Sequence, residues 1–204
     1  MEAEDLVLFG CLVVAVILHE ISHGVVALFY GDDTAKRAGR LTLNPIPHID
    51  ILGSLILPAM AVLAGAPVLG WAKPVPVNPS KLRDPRRQML YVGLVGPFTN
   101  FALMMVAAVV ARSLSNQPGA GVDLHFVVFA FALVNLFLGV FNLLPIPPLD
   151  GASLIERFLP RSWLPAWWKF RPFGFLILFV GLFYIHIFER IISPFARVLV
   201  DFIG

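Results

Sequence analysis

Charge is what this sequence has least of. Asp, Glu, Lys and Arg make up 14% of its 204 residues, while 58% are hydrophobic. Soluble domains carry about 25% charged residues, so a water-facing surface of the ordinary kind is excluded. Mean hydropathy is +0.84, and several runs approach the ~20 apolar residues that cross a bilayer. Cysteine is nearly absent too. The single Cys11 rules out an intramolecular disulfide and, lying in an apolar run, reads as a packing residue. No Lys/Arg tract accompanies the net charge of +2, which excludes nucleic acid as a partner. The N-terminus, Met1 to Asp5, is acidic where a signal peptide would be basic, so the first apolar segment is expected to be retained. There is no repeat, low-complexity segment or linker. One integral-membrane domain over residues 1–204 is expected.

What is present is a series of apolar runs: about Leu6–Tyr30, Ile51–Trp71, Gln88–Arg112, His125–Leu144 and Pro172–Phe188, the last continuing into an amphipathic tail. The expected fold class is all-α: a polytopic transmembrane helical bundle with short extended or β segments between the first helices. Gly39 to Pro45 alternates like a short strand, and Trp71 to Pro79 has too many prolines for a helix. Basic residues collect at Lys36–Arg40, Lys73–Arg87 and Arg157–Arg171, the last beside Trp163, Trp167 and Trp168, aromatics suited to a membrane interface. Positive-inside counting puts these loops on the cytoplasmic side and the N-terminus and Ser113–Leu124 outside. Both flanks of Ile51–Trp71 then share one side, so that stretch is expected to be re-entrant, with a single crossing as the alternative.

Inside the first run stands His19-Glu20-Ile21-Ser22-His23. A spacing of four puts both imidazoles on one helix face, where they can hold Zn²⁺ with Glu20 as general base toward water. Three adjacent ionisable groups in an apolar helix are costly without such a role. A catalytic zinc site wants a third protein ligand. Asp150, in a Pro-rich turn after an apolar helix, is the candidate; capping the following helix is its alternative. Asn142, about two turns earlier, is a candidate donor to a tetrahedral intermediate, or else a helix–helix hydrogen bond. His48 reads as a loop hydrogen-bonder, and His125 and His186 as interfacial or bundle residues.

Together these pieces resemble the site-2 protease family of intramembrane zinc metalloproteases. His19 to Gly24 is similar to its first motif, Asn142 to Gly151 to its second, ending in Leu-Asp-Gly, and Gly96-Pro97-Phe98-Thr99-Asn100 to the element between them. The resemblance implies that His19, His23 and Asp150 bind zinc and that Glu20 activates water. It implies that Asn142, and less directly Asn100, contact the substrate. Within these 204 residues no PDZ or CBS domain of the kind some relatives carry is expected. The expected function is hydrolysis of peptide bonds in or near transmembrane segments of membrane-protein substrates, within the lipid bilayer of a prokaryotic plasma membrane. Extended segments around Leu41–Asn44 and Lys73–Val77 could offer a strand edge to the unwound substrate. A metal transporter and a non-catalytic binder of membrane segments are the competing readings. The first lacks a continuous polar path, and the second has no use for Glu20. Nothing in the sequence assigns an oligomeric state.

Overall fold

Helices form where the apolar runs are, and polar side chains or proline mark their starts. In the computed structural model, which describes residues 2–56, 60, 63, 71–114, 123–183 and 187–204, helix α1 spans Ala3–Phe29 behind a capping box of Glu2 and Asp5. Helix α2 spans Pro85–Leu114, with proline at its first position, where no amide partner is needed. Helix α3 spans Leu124–Leu143 and is capped by Asp123, whose carboxylate accepts the Phe126 amide. All three are long and apolar enough to cross a membrane. Leu6, Phe9, Met105, Val109 and Leu124 stand exposed along them, as lipid-facing side chains do.

The bundle core is built from small residues. Ala107, Ala108 and Ala111 of α2 meet Ala132, Leu136 and Val140 of α3. In lipid, where burying apolar surface gains little, such close backbone approach supplies the packing. Beyond α3 come short helices α4 (Ala152–Phe158), α5 (Leu164–Phe170) and α6 (Gly174–Phe183). Helix α7 (Ile187–Ile203) is the amphipathic tail, and it lays Leu199 and Ile203 on the α2–α3 core. Trp163 and Trp168 of the basic loop are exposed, while Trp167 donates to Glu156 at 3.0 Å.

The C-terminal end of α1 and the start of α2 lie together, with Tyr30 stacked on Tyr91 at 5.9 Å. The whole connection from Gly31 to Asp84 therefore leaves from and returns to one end of the bundle. Within it, the interior of the Ile51–Trp71 stretch lies outside the described residues. Its described ends meet: the Trp71 amide donates to the Gly53 carbonyl at 3.2 Å, and the Ser54 hydroxyl to the Trp71 carbonyl at 2.8 Å. Residues 115–122 of the expected outer loop, and His186, also lie outside the described residues.

No strand occurs among the described residues. Gly39 to Pro45 forms a turn and bends: the Gly39 and Arg40 amides go back to the Lys36 and Ala35 carbonyls, Thr42 Oγ1 accepts the Asn44 amide at 3.2 Å, and Asn44 Oδ1 accepts the Ile46 amide just beyond at 3.1 Å. The Trp71–Asn78 stretch is free of helix, as its prolines require, and is not a paired strand. Its amides at Lys73, Val75 and Asn78 are taken within the chain, by the His48 carbonyl, Glu20 and Asp32. The edge expected to receive substrate is thus largely occupied.

Candidate metal centre

The two histidines sit on the inner face of α1 and are buried, as is required of imidazoles in a membrane helix. Counting from Phe29 at 1.5 Å per residue, they lie roughly 9 and 15 Å inside the end of the helix. The turn after α3 brings Asp150 to them from more than a hundred residues away. His19 Nε2 stands 2.9 Å and His23 Nε2 3.3 Å from Asp150 Oδ2. The two Nε2 atoms are 3.1 Å apart. A cation bonded to three N/O ligands at 2.0–2.1 Å in tetrahedral geometry spaces them about 3.3–3.4 Å from one another. The triangle is therefore a little tighter than a zinc site and of the right shape.

Three further observations test the fit. Asp150 Oδ2 is buried without a satisfactory hydrogen bond, although two rings face it. Asp150 makes no cap: the N-cap of α4 is Gly151, with no side-chain cap bond. Finally, α2 presents Gly96 to the rings. A Cβ there would lie 2.5 Å from His23 Nε2 and 2.6 Å from His19 Cε1, so only glycine leaves the space between rings and helix open. His19, His23 and Asp150 form a donor set that could hold a divalent metal.

Comparison with known proteins agrees with that chemistry. A model of peptidase family M50 matches residues 114–179. A Bacillus subtilis protein named "Putative zinc metalloprotease YwhC" is 36% identical over 176 residues, covering 83% of this chain and 76% of that protein. The chain belongs to peptidase family M50. This is the site-2 protease family that its motifs resemble. A Mycobacterium tuberculosis protein named "Putative zinc metalloprotease Rip2" is 32% identical over 171 residues. Those residues are 82% of this chain and 62% of Rip2, so the chain spans less than two thirds of that relative. "Zinc metalloprotease MJ0392" of Methanocaldococcus jannaschii is 25% identical over 157 residues, 77% of this chain and 35% of that protein. No solved structure matches.

In this M50 peptidase the histidines are oriented from behind. His23 Nδ1 donates to the Val92 carbonyl of α2 at 2.5 Å, and His19 Nδ1 to Asn100 Oδ1 at 2.5 Å. Asn100 Nδ2 donates to Asn135 Oδ1 at 2.9 Å, and Asn135 Nδ2 to the Phe131 carbonyl at 2.9 Å. The last acceptor sets the direction of the chain. A carbonyl cannot donate, so Asn135 must present its amine to Phe131 and its oxygen to Asn100. Asn100 then presents its oxygen to His19, which must carry its proton on Nδ1. The Nε2 lone pair is left facing Asp150 and His23, as a metal ligand requires.

Asn100, expected near substrate, is fully buried behind His19: its Oδ1 accepts from His19 Nδ1 and one of its two Nδ2 hydrogens goes to Asn135. Asn142 lies in the last turn of α3, where one amine hydrogen goes to the Leu138 carbonyl at 3.1 Å. This is a bond along its own helix rather than to another. Glu20 is half-buried, and its Oε2 accepts the Val75 amide at 2.7 Å. The expected loop bond of His48 is present, from Nε2 to the Thr42 carbonyl at 3.0 Å.

Asn135 is legible in the sequence: with Asn142 it is one of two amides inside the apolar run Leu124–Leu143, and such a position needs a partner. Gly96 stands out in the sequence only as part of a motif. The Val92 carbonyl carries no sequence signal at all, since every residue has one.

Proposed function

We propose that this zinc metalloprotease hydrolyses peptide bonds in or near the transmembrane segments of membrane proteins. The observation that carries the reading is the convergence of His19 Nε2, His23 Nε2 and Asp150 Oδ2 within 3.3 Å of one another, beside Glu20, inside a helix able to span a bilayer. His19, His23 and Asp150 hold the metal. Zinc, when bound, lowers the pKa of water toward ~7 and polarises a carbonyl. Glu20 takes the proton from the attacking water and returns it to the nitrogen of the leaving amine. Asn142, with its second amine hydrogen, stabilises charge developing on the scissile carbonyl oxygen. Asn100 and Asn135 orient His19.

The residues at 1–204 act as one multi-pass domain in a prokaryotic plasma membrane. The ligands lie toward the basic-loop end of α1, which positive-inside counting makes cytoplasmic. Water has the shorter path from that side. The partners are the bilayer and a substrate with a transmembrane helix, which must unwind locally because a helix hides its amides.

The test is cleavage of a model single-span substrate by the purified protein in lipid. Wild type should cut, chelator should stop it, and added zinc should restore it. Glu20→Gln should retain one zinc and lose cleavage at least ~100-fold. Retained cleavage in Glu20→Gln removes the assigned role of the glutamate. Zinc transport without cleavage favours a transit site instead.

A further inference from the structure

The stretch Trp71 to Pro79 has a role that substrate pairing does not account for. Pro74 and Pro76 have no amide hydrogen, so Val75 carries the one donor between Lys73 and Val77. That donor meets the general base, 2.7 Å from Glu20 Oε2. We infer that the Val75 backbone amide is a positioning group for Glu20, and that the strap Lys73–Asn78 is built to present it.

The strap is tied on both sides of the contact. The Lys73 amide donates to the His48 carbonyl at 2.9 Å, and the buried Arg40 donates to the Lys73 carbonyl. Beyond Val75, the Asn78 amide donates to Asp32 Oδ2 at 2.5 Å. Asp32 is fully buried and also accepts the Thr34 amide at 3.0 Å, so this anchor is itself fixed. Between the ties, Pro74 has a fixed φ and Pro76 restricts Val75 to extended backbone. The Val75 side chain is buried against α1 at Gly24. A Cβ on Gly24 would lie 3.1 Å from Val75 Cγ1 and 2.5 Å from Leu41 Cδ2, so the glycine after the second histidine lets the strap sit on the helix.

A glutamate side chain otherwise has three rotatable bonds. With Oε2 held by a fixed amide, through a charge-assisted bond, the carboxylate keeps one orientation and Oε1 is left for the proton. The inference rests on the proposed role of Glu20.

The test uses the full chain in lipid. Val75→Pro deletes the donor while tolerating extended backbone; Val75→Ala trims the side chain and keeps the donor. Val75→Pro should lose at least ~10-fold more kcat than Val75→Ala, up to ~100-fold, with KM within about threefold of that of Val75→Ala and one zinc bound in each. A second readout needs neither substrate nor a folded proline variant. In ¹⁵N-valine-labelled protein, Val75 (identified by its loss in Val75→Ala) should show a downfield, exchange-protected amide proton that moves upfield and exchanges faster in Glu20→Ala. Equal kcat in the two Val75 variants, or an unchanged amide in Glu20→Ala, overturns the inference. If Glu20→Gln still cleaves, the functional reading fails instead, whatever the amide shows.

Discussion

The sharpest test of the metal centre is one methyl group. Gly96 lies on the α2 face that meets the two imidazoles, and a Cβ placed there comes 2.5 Å from His23 Nε2 and 2.6 Å from His19 Cε1. Ordinary van der Waals contact begins at 3.4 Å, so Gly96→Ala demands a displacement of about 1 Å. Neither ring can absorb it freely, because both Nδ1 atoms are tied to α2, at Val92 and Asn100. Metal–ligand distances tolerate about 0.2 Å, so the shift exceeds the tolerance about fivefold. The expected result is zinc affinity weakened at least ~100-fold, or about 2.8 kcal/mol at 1.4 kcal/mol per decade. The opposing effect is small and of known sign. Alanine in place of glycine in a helix interior stabilises by about 1 kcal/mol, so the metal-free protein should not be crippled by backbone effects. The assay is a chelator competition for zinc, with metal content by mass spectrometry and helicity by circular dichroism. If Gly96→Ala binds one zinc with wild-type affinity, the space beside Gly96 is not the metal position and the geometric reasoning is wrong.

Other outcomes follow from the same contacts. Asn135→Leu removes the group that sets the direction of the chain to His19; zinc affinity should fall about 10–100-fold with helicity intact, read by the same competition. Asp150→Ala removes a ligand and should abolish stoichiometric zinc, whereas a capping role would leave zinc bound and lower only thermal stability. Asp32→Ala strips acceptors from the amides of Thr34 and Asn78 and should cost about 3 kcal/mol, read as a lower melting temperature in detergent. Asp32 also predicts a pH dependence. Burial would raise its carboxyl, but the bonds from Thr34 and Asn78, with Lys81 nearby, hold it below its ordinary value. A depressed carboxyl contributes fully above its unfolded value near ~4 and loses that contribution as pH falls through the folded value. The gap between wild type and Asp32→Ala should therefore be constant near neutrality and close only below about pH 4.

How much of this was readable beforehand depends on how local each feature is. The spans α1, α2 and α3 follow from hydropathy, since a bilayer leaves helices little alternative. The inward face of His19 and His23 follows from a spacing of four. Asp150 could be named as a ligand or a cap, and the choice between them needed its distance to α1. The alternation at Gly39–Pro45 does not become a strand, because alternation is a weak signal beside Asn and Thr side chains that bond their own backbone. The residue type and motif of Asn100 are visible in the chain, but what it touches is not.

The sequence by itself determined the membrane class, the helical architecture and the shared helix face of His19 and His23, with Glu20 between them. Those depend on composition and on periodicity within one segment. Tertiary structure alone decided the work of the groups around them: Asn135 and Asn100 behind His19, the Gly96 space beside the rings, and the Val75 amide on Glu20. Each joins residues dozens of positions apart, on elements whose facing surfaces are chosen by packing. A backbone carbonyl or amide has no letter of its own, and only the fold shows which one is used.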